Sequence, residues 1–196
     1  MKKKTIKKIG NYSFWIVFVV VLFTSSLRAE VFGFIQRGVL ELGIMNPDTT
    51  TETTEDNKAK KASYKVKLLD QNGNKVDMAN LKDKVIFINF WATWCPPCIA
   101  EMPSIDNLHE HFEKDEDVVF LMISLDKNFE KAKKFKSRKE FDFDVHKTLG
   151  NLPRVYQSRS IPTTFVVDKN GNIAFEHKGM ADYDTKKFKN FINNLK

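Results

Sequence analysis

An apolar run, Val85 to Phe90, leads through Trp91-Ala92-Thr93-Trp94 directly into Cys95-Pro96-Pro97-Cys98. A compact stretch of β-branched and aromatic residues of that length reads as a central strand buried on both faces. The segment from Cys95 to about Glu113 reads as a helix, because Met102, Ile105, Leu108 and Phe112 recur at helical spacing. Pro96 and Pro97 then fall in the first turn, where a missing N–H costs little, whereas Pro103 lies inside and is expected to kink the helix. The strand therefore delivers Cys95 to a helix N-terminus, where the positive end of the helix and its unpaired N–H groups stabilise a thiolate.

The two cysteines of this pair are the only two in 196 residues. A disulfide-stapled scaffold spreads several cysteines along its chain, so this pair points to chemistry or metal binding. As a redox pair, Cys95 at the exposed end is the attacking thiol. Cys98 lies one turn further in, within reach to resolve a mixed disulfide. A complete zinc site needs more ligands, and neither a second C-x-x-C nor an H-x-x-x-H accompanies this one. A chaperone holding metal on two soft thiols is the alternative of a different class.

The other elements can be placed around this unit. Tyr64, Val66 and Leu68 alternate with polar residues as a half-buried strand, and Asn72-Gly73 turns the chain into a short strand at Lys75-Val76. Val118 to Ser124 reads as the next strand, Asn128 to Lys139 as a helix, and Phe141 to Val145 as a short alternating strand. Leu152 to Gln157 reads as one or two helical turns. Thr163 to Val167 and Ile173 to His177 form a hairpin about Asn170-Gly171, and Tyr183 to Leu195 is a closing helix. The order β-β-β-α-β-α-β-β-β-α describes an α/β sandwich with a mixed central sheet.

The chain from about Ala62 to Lys196 resembles the TlpA/ResA-like exported thiol–disulfide oxidoreductases of the thioredoxin fold. The likeness rests on Val85 to Trp94, on Cys98-Ile99-Ala100-Glu101-Met102-Pro103, on Ile161-Pro162-Thr163-Thr164-Phe165 and on Asp168-Lys169-Asn170-Gly171-Asn172-Ile173. Pro96-Pro97 stands where Gly-Pro or Glu-Pro is commoner. The resemblance implies a thioredoxin-like domain with no cofactor beyond the Cys95–Cys98 disulfide. It also implies a cis peptide before Pro162 packed against Cys95, and a backbone at Ile161 that pairs with an extended substrate strand. Read without the family, Pro162 is an ordinary trans proline opening a strand. Glu101 follows Cys98 by three residues, on the same helical face. A carboxylate there raises a thiol pKa and moves protons during exchange. Taken alone it is more often a solvated helix residue, and the resemblance shifts the balance to function. Trp94, Pro96, Pro97, Ile161 and Pro162 are the expected substrate surface, and Trp91 suits either that surface or the core.

The N-terminus reads as a targeting segment. Residues 1–13 form a basic cytoplasmic tail, residues 14–27 a membrane anchor or signal segment, and residues 28–45 an amphipathic juxtamembrane stretch. Residues 46–61, rich in threonine and without a large apolar side chain, are the expected linker to a domain over residues 62–196. The net charge of +7 invites a nucleic-acid reading, but Lys2, Lys3, Lys4, Lys7 and Lys8 precede the apolar run and account for five of the seven charges. The basic stretch Lys127 to Lys139 and the scattered His109, His111, His146 and His177 read as solvated or core residues. The expected location is the cell membrane, with the catalytic domain on the periplasmic or extracytoplasmic side. The leading function is reduction of disulfides in exported proteins. Apocytochrome c is a candidate substrate and a membrane thiol reductase a candidate electron donor, both by resemblance. An oxidase is the nearest rival, weakened by the lack of a histidine between the cysteines and by two intervening residues without N–H donors. Peroxide reduction is weaker still, because Cys95 lacks the Pro-x-x-x-Thr-x-x-Cys approach of peroxiredoxins.

Overall fold

A computed structural model describes residues 60–196. The expected tail, anchor and juxtamembrane stretch, and the linker up to residue 59, lie outside the described residues. Lys60 and Lys61, read as the end of the linker, already hold to the folded domain. Lys60 pairs with Glu176 at 2.6 Å, and Lys61 bridges Asn172.

The chain forms a mixed seven-stranded sheet in the order β2-β1-β5-β4-β3-β6-β7. The strands are β1 (Lys67–Asp70), β2 (Lys75–Asp77), β3 (Val85–Trp91), β4 (Val118–Ser124), β5 (Val145–Thr148), β6 (Thr163–Val167) and β7 (Ile173–Lys178). All seven residues of β3 are buried, as a strand with sheet on both sides and packing on both faces requires. It pairs in parallel with β4 and antiparallel with β6, where Asn89 faces Thr164 and Phe90 faces Thr163.

Helix α1 (Pro96–Phe112) links β3 to β4, and α2 (Phe129–Lys139) links β4 to β5. Both crossovers step the same way along the sheet, so right-handed connections place both helices on one face. There Ile99, Met102 and Ile105 of α1 share a core with Ala132 and Phe135 of α2, and with Phe188 and Ile192 of α3 (Lys186–Asn193). Among the described residues no long helix covers the opposite face. Leu68, Ile86, Ile88, Phe90 and Phe165 are covered there by two short 3-10 turns, Met78–Leu81 and Arg154–Tyr156, and by the segment around Tyr64. α1 runs unbroken past Pro103.

Three boundaries differ from the sequence reading, each because backbone or side chains find other partners. The first ladder begins at Lys67, since Tyr64 packs on the far hairpin, where a Cβ added to Gly171 would lie 3.3 Å from its hydroxyl. Gly171 holds φ +76 there, a conformation open to glycine. The strand expected over Phe141 to Val145 begins only at Val145, because the Asp106 carboxylate of α1 accepts the N–H groups of Asp142 and Phe143. The last helix begins at Lys186, after Thr185 caps it by accepting the Phe188 N–H. This leaves Tyr183 outside the helix.

Candidate active site

Cys95 ends the approach from β3 and caps α1. Pro96 and Pro97 occupy the first two helical positions and carry no N–H, so the Cys98 N–H is the first donor the helix offers. It points at Cys95 Sγ, 3.3 Å away. The structure shows the oxidised state, with Cys95 and Cys98 joined and their Cα atoms 5.3 Å apart. On reduction the same N–H and the positive helix end face a Cys95 thiolate. Expected at the exposed end, Cys95 is in fact only 4% accessible, against 0% for Cys98. The difference still favours Cys95 for attack, through a narrow opening.

The approach loop is fixed by Asp126, in the turn after β4. Its carboxylate accepts the Thr93 N–H at 3.0 Å, the Thr93 hydroxyl at 2.7 Å and the Ser124 hydroxyl at 2.9 Å. The Leu125 N–H bonds to the Trp91 carbonyl at 2.8 Å. Trp91 is fully buried and packs on Phe135 of α2, so of its two readings the core applies. Trp94 is 59% exposed beside Cys95. Pro96 and Pro97 are half-buried at the same rim. From the other side comes the Ile161-Pro162 segment, whose peptide bond is cis. The Ile161 carbonyl oxygen lies 3.8 Å from Cys95 Sγ, a hydrogen-bond acceptor for the thiol once the disulfide is reduced. The Pro162 carbonyl accepts the Gly179 N–H at 2.9 Å, which ties this segment to the end of β7.

Glu101 is one turn beyond Cys98 and fully buried. Its Oε1 accepts from the Asn89 side-chain amide at 2.8 Å, and its Oε2 from the Ala181 N–H at 3.2 Å. The Asn89 amide also donates to Thr164 Oγ1 at 2.9 Å, and the Tyr183 hydroxyl donates to the same atom at 2.8 Å. Burial pushes the Glu101 carboxyl up to about 8, with the Asn89 and Ala181 donors opposing the rise. Burial, and then the charge of Glu101, raise the Tyr183 hydroxyl. Asn89, Thr164, Ala181 and Tyr183 were not singled out from sequence. Asn89 had a signal, as the one polar residue within Val85–Trp91. Tyr183 had none, because it reaches the site through tertiary structure alone. Among the described residues no group of three or more His, Cys, Asp or Glu is placed to hold a metal.

The chain is similar to known proteins. The model of the AhpC/TSA family matches residues 56–176. The thiol-disulfide oxidoreductase ResA of Bacillus thuringiensis subsp. konkukian is 32% identical over 111 residues, which is 56% of this chain and 64% of that protein. The chain thus spans less than two thirds of the length of the first curated relatives it matches. A Chlorobium tepidum structure, provisionally a thiol:disulfide interchange protein DsbE, superposes with a TM-score of 0.60 at 26% identity, covering 71% of this chain and 97% of the other. StoA from Bacillus subtilis shares the fold, with a TM-score of 0.55 at 23% identity over 66% of this chain and 98% of the other.

Proposed function

The chain belongs to the AhpC/TSA family, and from that premise we propose that it is a thiol–disulfide oxidoreductase of the ResA/DsbE type that reduces disulfides in exported proteins. The observation that carries the reading is a Cys95–Cys98 pair whose first sulfur caps a helix while a buried carboxyl lies one turn on.

The chemistry proceeds by two exchanges. In the reduced protein the Cys95 thiolate attacks one sulfur of a substrate disulfide, and the other substrate sulfur leaves as a thiolate and takes up a proton. The product is a mixed disulfide between Cys95 and the substrate. Cys98 then attacks Cys95 Sγ. Its proton leaves by way of Glu101, which gives up its own proton as it takes this one, and the second substrate sulfur departs and takes up a proton. The substrate has gained two electrons and two protons in all, and the protein holds the Cys95–Cys98 disulfide. Below its raised pKa of about 8, Glu101 begins and ends this sequence as a neutral acid and passes protons on without holding an extra one. When an electron donor reduces the disulfide again, Glu101 gives its proton to the departing Cys98 sulfur and is protonated again. Trp94, Pro96, Pro97 and the Ile161-Pro162 segment surround the Cys95 opening and form the substrate surface in this reading.

The proposed location rests on the N-terminal part of the chain. The lysine cluster ahead of residues 14–27 favours an N-terminal anchor that leaves residues 62–196 outside the cytoplasm. The partners are then exported protein disulfides, with apocytochrome c as a candidate, and a membrane thiol reductase that returns electrons. The test is turnover of a protein disulfide by the full-length chain with a dithiol donor. Wild type turns over, and Cys95→Ala and Cys98→Ala each lose turnover. Undiminished turnover by either variant defeats the assignment.

A further inference from the structure

The hydrogen bonds around Glu101 do not balance for both of its protonation states. Asn89 is fully buried on β3, and its Nδ2 donates to Glu101 Oε1 at 2.8 Å and to Thr164 Oγ1 at 2.9 Å. Its Oδ1 receives no donor among the described residues. The second carboxyl oxygen, Oε2, faces the Ala181 N–H at 3.2 Å. Both oxygens of Glu101 therefore meet N–H donors, an environment made for a carboxylate. Yet burial holds Glu101 neutral over the physiological range, with its pKa at about 8. A neutral carboxyl brings an O–H of its own, and that donor then points at donors. A buried O–H with no acceptor is costly.

We propose that the Asn89 side-chain amide reorients with Glu101, presenting its N–H to the carboxylate and its carbonyl to the carboxylic acid. A half-turn about the terminal torsion exchanges the two groups within the same volume, because amide torsions of this kind are close to two-fold. After the turn, Oδ1 stands between Glu101 and Thr164 and accepts a proton from each. Thr164 Oγ1 still accepts from Tyr183, at 2.8 Å. Asn89 is thus a positioning residue. It touches neither sulfur, and it acts by matching its hydrogen bonds to the state of Glu101. The proposal rests on the proton role proposed for Glu101, since a Glu101 that gives up and regains a proton in each half-reaction needs a neighbour that changes with it.

The surroundings limit what else drives such a response. Tyr183, ahead of α3, is the titratable group that faces Glu101 from another element, and its hydroxyl is itself raised. β3 and β6 offer the Asn89 amide and the Thr164 hydroxyl, neither of which ionises. At the start of α1, Cys95 and Cys98 are joined and do not titrate in the oxidised protein.

The test uses oxidised full-length protein in detergent, labelled for NMR at the Asn side-chain amides and the Glu carboxyls. Over about pH 6 to 10, the Asn89 amide signals and the Glu101 carboxyl signal are expected to move together with one midpoint. In Glu101→Gln, whose own amide is a permanent donor, the Asn89 signals should stop responding to pH. If Glu101 titrates while the Asn89 amide stays still, the amide is fixed and this proposal falls, with the Glu101 reading intact. If Asn89 responds equally in Glu101→Gln, some other group drives it and the proposal also falls. If Glu101 does not titrate in that range, its proton role and the reorientation fall together.

Discussion

Replacing Glu101 with glutamine should change how stability depends on pH, and the size can be worked from its burial. In the folded protein the carboxyl keeps its proton up to about 8, whereas its ordinary value is 4.5. Below 4.5 both states are protonated and the group contributes nothing to pH dependence. Between the two values the folded state binds more protons than the unfolded chain, so stability falls as pH rises. At about 1.4 kcal/mol per pH unit, the loss is below 1 kcal/mol at pH 5, roughly 3 kcal/mol at pH 7 and nearly 5 kcal/mol at pH 9. Glu101→Gln keeps the side-chain size and stays neutral throughout. Relative to wild type, the variant should therefore gain roughly 4 kcal/mol between pH 5 and pH 9. Urea unfolding of both oxidised proteins, monitored by far-UV circular dichroism at several pH values, gives the difference directly and cancels the groups they share. A wild-type-minus-variant difference that stays flat from pH 5 to pH 9 would refute the reasoning, because a carboxyl with an unshifted pKa gives no such slope.

Two further expectations concern the rim of the site. Asp126→Ala removes the acceptor of the Thr93 N–H and hydroxyl, so it should cost about 2 kcal/mol of stability and slow exchange at Cys95, both measurable on one preparation. Trp94 is exposed and anchors nothing in the core, so Trp94→Ala should leave stability within about 0.5 kcal/mol. The same variant should slow exchange with a protein disulfide several-fold while sparing a small-molecule disulfide, and equal rates with both would remove Trp94 from the substrate surface.

The parts of the fold legible in the sequence were those whose signal is local and periodic. β3 announces itself by an unbroken apolar run, α1 by Met102, Ile105, Leu108 and Phe112, and the two turns by Asn72-Gly73 and Asn170-Gly171. The order of all ten strands and helices was readable for that reason. What could not be read depended on partners distant in sequence. The Asp106 carboxylate takes the backbone N–H groups of Asp142 and Phe143, so the alternation of Phe141 to Val145 does not become a full strand. The candidate site divides along the same line. Cys95 caps the helix that carries Cys98 and Glu101, and their relation is set by helical geometry. The burial of Glu101 is not, because it is produced by Asn89, Thr164, Ala181 and Tyr183 closing over it from three other segments. A spacing rule finds a carboxyl beside a thiol; only the packed structure gives it a pKa of about 8.

The central claim is that Cys95 attacks and Cys98 resolves, and the most direct measurement is to trap the intermediate. Full-length Cys98→Ala, expressed in cells and recovered after acid quench and thiol alkylation, should carry substrate proteins joined to Cys95, seen as larger species on a non-reducing gel that collapse on reduction. Cys95→Ala should carry none. If the larger species formed on Cys95→Ala and not on Cys98→Ala, the roles of the two sulfurs would be reversed and the account contradicted.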